Sequence, residues 1–150
     1  IAQNYGAGKA ERIRRGVRSA FLTAAVFSIL VSAVVVVFAE PLMTIFIDES
    51  ETEIIAAGVH YLRVEGAFYV GIGILFLLYG LYRAVARPGV SVVLTVISLG
   101  TRVVLAYALS AIPAIGVTGI WAAVPIGWAL ADIAGIWYWR KLSRRGETLL

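Results

Sequence analysis

Apolar residues in this chain do not alternate with polar ones; they run in blocks long enough to cross a bilayer. Residues 19–39 hold 21 consecutive uncharged positions, matching the roughly 20 residues a helix needs to span hydrocarbon. A second apolar segment, 54–86, carries Arg63 and Glu65 early and is then uncharged from 66 to 82. The third, 88–111, is interrupted by Arg102, and the fourth, 115–139, by Asp132. The pattern predicts an all-α integral membrane protein with four transmembrane helices. Its order is a basic loop (1–16), a transmembrane helix with an outer interfacial extension (17–47), an acidic outer link (48–53), transmembrane helices over 54–86, 88–111 and 115–139, and a basic tail (140–150). At 1.5 Å per residue the second span is roughly 50 Å long, so its outer end projects beyond one bilayer crossing.

Local punctuation refines these bounds. Glu40-Pro41 ends or kinks the first span, because proline lacks an amide donor and disfavours helix at the residue before it. Ser50 followed by Glu53 has the spacing of a capping box, which predicts that the next helix starts inside the acidic link. Pro88-Gly89 breaks the chain at one turn, and Pro113 with Gly116 and Gly119 marks the next. Gly66, Gly71, Gly73 and Gly80 in the second span read as positions of close helix approach. Pro125 opens the backbone of the fourth span, as a tolerated bend or a gating kink.

Charge sets orientation. Lys9, Arg12, Arg14, Arg15 and Arg18 precede the first span, Arg83 and Arg87 follow the second, and Arg140, Lys141, Arg144 and Arg145 follow the fourth. The link after the first span carries Asp48, Glu49, Glu51 and Glu53 and no cation. Basic flanks are retained on the cytoplasmic side, so both ends of the chain are expected there, in a cell (inner or plasma) membrane. A hydrophobic share of 61% and a mean hydropathy of +0.90 agree, and the net charge of +4 is topology rather than a nucleic-acid signal. The chain opens at Ile1 without the marks of a secretory signal, which suggests a fragment of a longer protein.

Enzymatic motifs fail on inspection. Gly6-Ala7-Gly8-Lys9 lacks the leading glycine and the hydroxyl residue of a phosphate loop, and Glu11 stands where a dinucleotide fingerprint needs glycine. One histidine, His60, and no cysteine cannot build a metal cluster. The chemistry left is that of ionisable groups at membrane depth, each costing about 2.5–3.5 kcal/mol on insertion scales and facing a partner or a water-filled cavity. Counted from the basic ends, Asp132 lies roughly 10 Å in, Arg102 roughly 20 Å and Glu65 roughly 27 Å. Arg102 is therefore expected to pair with Glu65, either stapling helices or lining a substrate path. Asp132 either is capped by a neighbouring hydroxyl or reached by water, the commoner case, or carries a coupling ion. Arg63 and His60 are expected to snorkel to water. Tyr69, Tyr79, Tyr82 and Tyr107 serve either packing or stacking on a cationic ligand.

Asn4-Tyr5-Gly6-Ala7-Gly8-Lys9, followed by Glu11-Arg12 and Gly16, resembles the cytoplasmic loop in the second half of multidrug and toxic compound extrusion (MATE) transporters. Glu40-Pro41-Leu42, Tyr61-Leu62-Arg63, Gly119-Ile120-Trp121-Ala122 and Pro125-Ile126-Gly127-Trp128 follow in the family's order. The resemblance implies the ninth to twelfth helices of a twelve-helix, two-lobed protein, partnered by the missing N-terminal part. Such transporters expel amphipathic, often cationic compounds by alternating access in exchange for Na+ or H+, without a further cofactor.

The chain also departs from the family. Ala84-Val85-Ala86 stands where a Gly-x-Gly turn is common, and residues 69–78 lack the carboxylate that some members use as a cation ligand, Glu65 lying about two turns further outward. The coupling-ion site is therefore expected outside these residues. The resulting expectation is a multidrug antiporter segment, not an enzyme, with Glu65, Arg102, Asp132, Tyr69 and Tyr79 as candidates for the substrate path or coupling. A lipid or glycan-precursor flippase of the same superfamily and a structural four-helix membrane subunit are the alternatives.

Overall fold

Seven helices form among residues 1–145, the residues that the computed structural model describes. They are α1 (Ala2–Gly6), α2 (Ala10–Val37), α3 (Ala39–Thr44), α4 (Thr52–Gly66), α5 (Tyr69–Ala84), α6 (Pro88–Ser110) and α7 (Val117–Arg144). By length and composition α2, α6 and α7 can each cross a membrane, and α4 with α5, bent by 50° where they meet, is long and apolar enough to form a fourth, broken span or a re-entrant loop. Backbone amides and carbonyls cannot be left open in hydrocarbon, which is why apolar segments of this length close into helices.

The long helices run alternately up and down. Ile13 and Val17 of α2, Leu81 of α5, Val85 beyond its end, Leu94 of α6 and Leu142 of α7 share one buried cluster. The three basic segments therefore gather at one end of the bundle. α5 and α7 are its middle: α7 packs along α6 and against α4 and α5, while α5 also meets α2. At the other end His60 Nε2 lies 3.1 Å from Thr118 Oγ1, and Trp121 packs against the rings of His60 and Tyr61. His60 thus clasps α4 to α7 instead of only reaching for water. Valines and leucines along α2 and α6, such as Leu30, Val34, Val96 and Val104, stay exposed, as suits surfaces turned to acyl chains.

Several sequence expectations change. The stretch 1–16 is helical rather than a loop, with one turn between α1 and α2. There Lys9 N donates to Asn4 O and Gly8 N to Tyr5 O, a Schellman closure whose left-handed residue is Gly8, at φ 65°. α7 continues through 140–144, so the expected tail is the last turn of a helix; residues 146–150 lie outside the described ones. Ser50 does not cap α4, which starts without a side-chain cap. Its amide and hydroxyl instead donate to Asp48 Oδ1, closing an Asx turn. These bonds, led by the hydroxyl, hold the Asp48 carboxyl below its ordinary range.

The second span is the largest change. It is two helices, bent by 50° where they meet. Phe68 N donates to Glu65 O and Gly71 N to Phe68 O, so the ladder tightens at the break. A Cβ at Gly66 would lie 2.7 Å from Val35 Cγ1, and Gly73 abuts Ser28. The bend lets α4 and α5 each meet α2 at a glycine. Pro125, by contrast, sits buried inside a continuous α7; the interruption lies in the other span.

Candidate functional site

Glu65 is the last but one residue of α4 and is 6% exposed. Its side chain faces a cavity of about 420 Å³ between α2, α4, α5 and α7, which Tyr61, Tyr69, Phe76, Phe27 and Trp128 also line. The walls are aromatic and the polar groups few: the Glu65 carboxylate, two phenols and the Ser28 hydroxyl. That composition suits a bulky amphipathic guest, with ring faces for a cation.

Asp132 lies one turn along α7 from Trp128 and is 7% exposed. A Cβ at Gly71 would sit 3.3 Å from Trp128 Cβ and 3.8 Å from Asp132 Oδ2. The carboxyl is therefore held against the start of α5, next to the tryptophan that walls the cavity. No neighbouring hydroxyl caps it: Asp132 Oδ1 is buried without a hydrogen-bond partner. Ser32 Oγ and Arg102 Nε are the other buried side-chain atoms of this kind among the described residues. Three unsatisfied polar groups at membrane depth are a cost that packing alone does not explain.

Arg102 does not close on Glu65. Among the described residues the one ion pair within 4.0 Å is Arg15–Glu11, on the exposed face of α2. Arg102 leaves α6 towards α7, its Cβ 3.7 Å from where a Cβ at Gly127 would stand. Its charge reaches Glu65 and Tyr61 through space, without contact. The residue count gave Arg102 and Glu65 neighbouring depths along straight rods, but α4 ends in a 50° bend next to Glu65, which such a count does not include.

The tyrosines divide. Tyr69 lines the cavity, whereas Tyr79 accepts a hydrogen bond from Thr95 Oγ1 at 3.2 Å and ties α5 to α6. Tyr82 is fully buried and donates to Gly135 O. Tyr107 is 78% exposed on α6. Phe27, Phe76, Ser28 and Ser32 were not singled out by sequence reasoning, and Tyr61 entered it only within the family-like segment Tyr61-Leu62-Arg63. Ser28 and Ser32 carry a weak signal, being the hydroxyls, one turn apart, of the otherwise apolar stretch 24–39. Among the described residues no three His, Cys, Asp or Glu side chains converge as a metal site.

A broken span with a buried acid at its break, opening on an aromatic cavity, is a carrier-like arrangement. The MatE family model matches residues 1–108. The chain belongs to the MatE family. The match runs from α1 through most of α6 and takes in the Asn4–Lys9 turn, the broken span and Arg102. It makes this MatE chain part of a transporter family, in agreement with its three long apolar helices and the bent apolar pair α4–α5. No curated protein and no solved structure matches it.

Proposed function

We propose that this MatE chain forms part of one lobe of a secondary active antiporter, which exports amphipathic, often cationic compounds by alternating access. The observation that carries the reading is the break between α4 and α5, with Glu65 buried at it and an aromatic cavity beside it. Broken spans in carriers lie where backbone lines a cavity and where the ends of half-helices change angle. Here α4, clasped to α7 through His60, Tyr61 and Trp121, tilts against α5 and opens or narrows the space that Glu65 and Tyr69 face.

In this reading Glu65 attracts a cationic guest and the rings of Tyr61, Tyr69 and Trp128 hold its apolar body. Asp132, behind Trp128, takes up a proton in one state and releases it in the other, since an unpaired carboxyl at this depth is far cheaper neutral than charged. Further helices of the transporter supply the opposite wall of the path, together with any sodium ligands. The basic ends face the cytoplasm of a cell membrane.

Ethidium efflux from cells expressing the full-length transporter, with sodium and proton gradients collapsed separately, tests this. Export that stops with one gradient names the ion, and Asp132→Asn is expected to abolish the proton-dependent part while leaving the protein in the membrane. Efflux unaffected by either gradient removes the antiporter reading, and unchanged coupling in Asp132→Asn removes that residue from it.

A further inference from the structure

The break between α4 and α5 opens the start of a helix inside the bundle. α5 is 16 residues long and no side chain caps it, so its first amides and the positive end of its dipole are presented at the bend. Gly71 N turns back on Phe68 O and uses one of those amides. Facing this turn from α7 is Asp132, 7% exposed, with Oδ1 buried and without a hydrogen-bond partner. Gly71, the third residue of α5, is what lets the two meet. A Cβ there would stand 3.3 Å from Trp128 Cβ and 3.8 Å from Asp132 Oδ2.

Further along, α5 is tied to α7. Tyr82 donates to Gly135 O, and a Cβ at Gly135 would meet Leu78 Cδ1 at 2.7 Å. The seam is thus tight at the far end of α5, and what is left to change is the angle at its start. The other ionisable groups brought to this stretch of α7 are Glu65 of α4 and Tyr69 of α5, both at the cavity, Arg102 of α6, beside Gly127, and the Tyr82 phenol, spent on Gly135. Among the described residues none of these bonds or ion-pairs with Asp132.

We infer that Gly71 is a positioning residue which opens the first turn of α5 to Asp132, so that the charge on this carboxylate holds the bent pair α4–α5 at its angle. The inference rests on the proposed reading that Asp132 takes up and releases a proton. A charged carboxylate is drawn to the positive end of a helix, whereas a neutral carboxyl carries no net charge for the dipole to act on. Proton uptake at Asp132 therefore loosens the start of α5 from α7, and α4, joined to it at the bend, changes tilt. With 15 residues α4 is about 22 Å long, so a tilt of roughly 10° carries its outer end about 4 Å. The proton and the cavity are thereby linked without Asp132 touching the guest.

The test is the distance between spin labels at Ile54→Cys on α4 and Val104→Cys on α6, both exposed positions, in the full-length transporter without other cysteines, at alkaline and at acid pH with no gradient. Wild type is expected to show one distance when alkaline and to populate a second on acidification. Asp132→Asn should hold the acid distribution at both pH values. Gly71→Ala should shift the alkaline balance towards it by about tenfold, the scale of a charge at a partly buried helix terminus. Gly80→Ala, where a Cβ meets nothing within 4 Å, should leave the distances as they are. Wild-type distances alike at both pH values, or a pH response that survives in Asp132→Asn, overturn the inference. A change in Gly71→Ala that is the same at both pH values overturns the positioning role. Proton-coupled efflux lost in Asp132→Asn with unmoved distances strikes this inference alone, whereas distances that respond as expected in a transporter whose efflux never needs protons strike the coupling reading instead.

Discussion

Ala86 is a residue held where its side chain is unwelcome. At φ 57° it is the one residue other than glycine in the left-handed region among the described residues, because the end of α5 closes in a Schellman turn, with Arg87 N donating to Tyr82 O. Glycine takes that conformation freely, whereas a Cβ costs roughly 1–2 kcal/mol. The family's habit of glycine near this turn now has a physical reason, and Ala86 shows the turn forming without it. Ala86→Gly is expected to raise the thermal midpoint of the purified protein, the net gain being about 1 kcal/mol or less once the greater freedom of unfolded glycine is counted. A lowered midpoint would mean that the turn is not strained. The same scale explains Ser50: the capping-box spacing was visible, but Asp48 lies closer to its hydroxyl and amide than the start of α4 does, and the Asx turn won.

Between elements, the seams are set by small residues, and not every glycine is one of them. A Cβ on Gly127 would stand 2.5 Å from Ser98 O, so α7 lies directly on the backbone of α6 there. Gly80 has nothing within 4 Å of where its Cβ would be. The two substitutions should therefore part in sign. Gly127→Val is expected to push α6 away and destabilise by roughly 1–3 kcal/mol. Gly80→Ala should be neutral or stabilising by up to about 1 kcal/mol, from helix propensity alone. Thermal denaturation of both variants in one detergent checks this, and equal losses would show that the glycines act through chain flexibility instead. The sequence shows all these glycines alike, since closeness to a neighbour is a property of how helices cross.

For the molecule as a whole, the up-and-down order of the spans brings eleven cations to one end and the acidic link to the other. Orientation is then a single choice for the entire bundle. The chain has no natural cysteine, so Glu49→Cys and Arg144→Cys give clean single labels. An impermeant maleimide added to intact cells is expected to modify position 49 at once and position 144 after permeabilisation. The reverse order would place the basic end outside and overturn the positive-inside assignment.

Much of this was legible from residues in order. Uncharged runs state their own solvent, and the Asn4–Lys9 stretch with its followers pointed to the family; each rests on local composition or spacing, which folding does not rearrange. The bend at 67–68 and the distance from Arg102 to Glu65 were not legible. Nor was the company of Glu65, Tyr61, Tyr69 and Trp128 around one cavity. These depend on which faces of four helices meet and at what angle, and a single break in one helix shifts every depth counted beyond it.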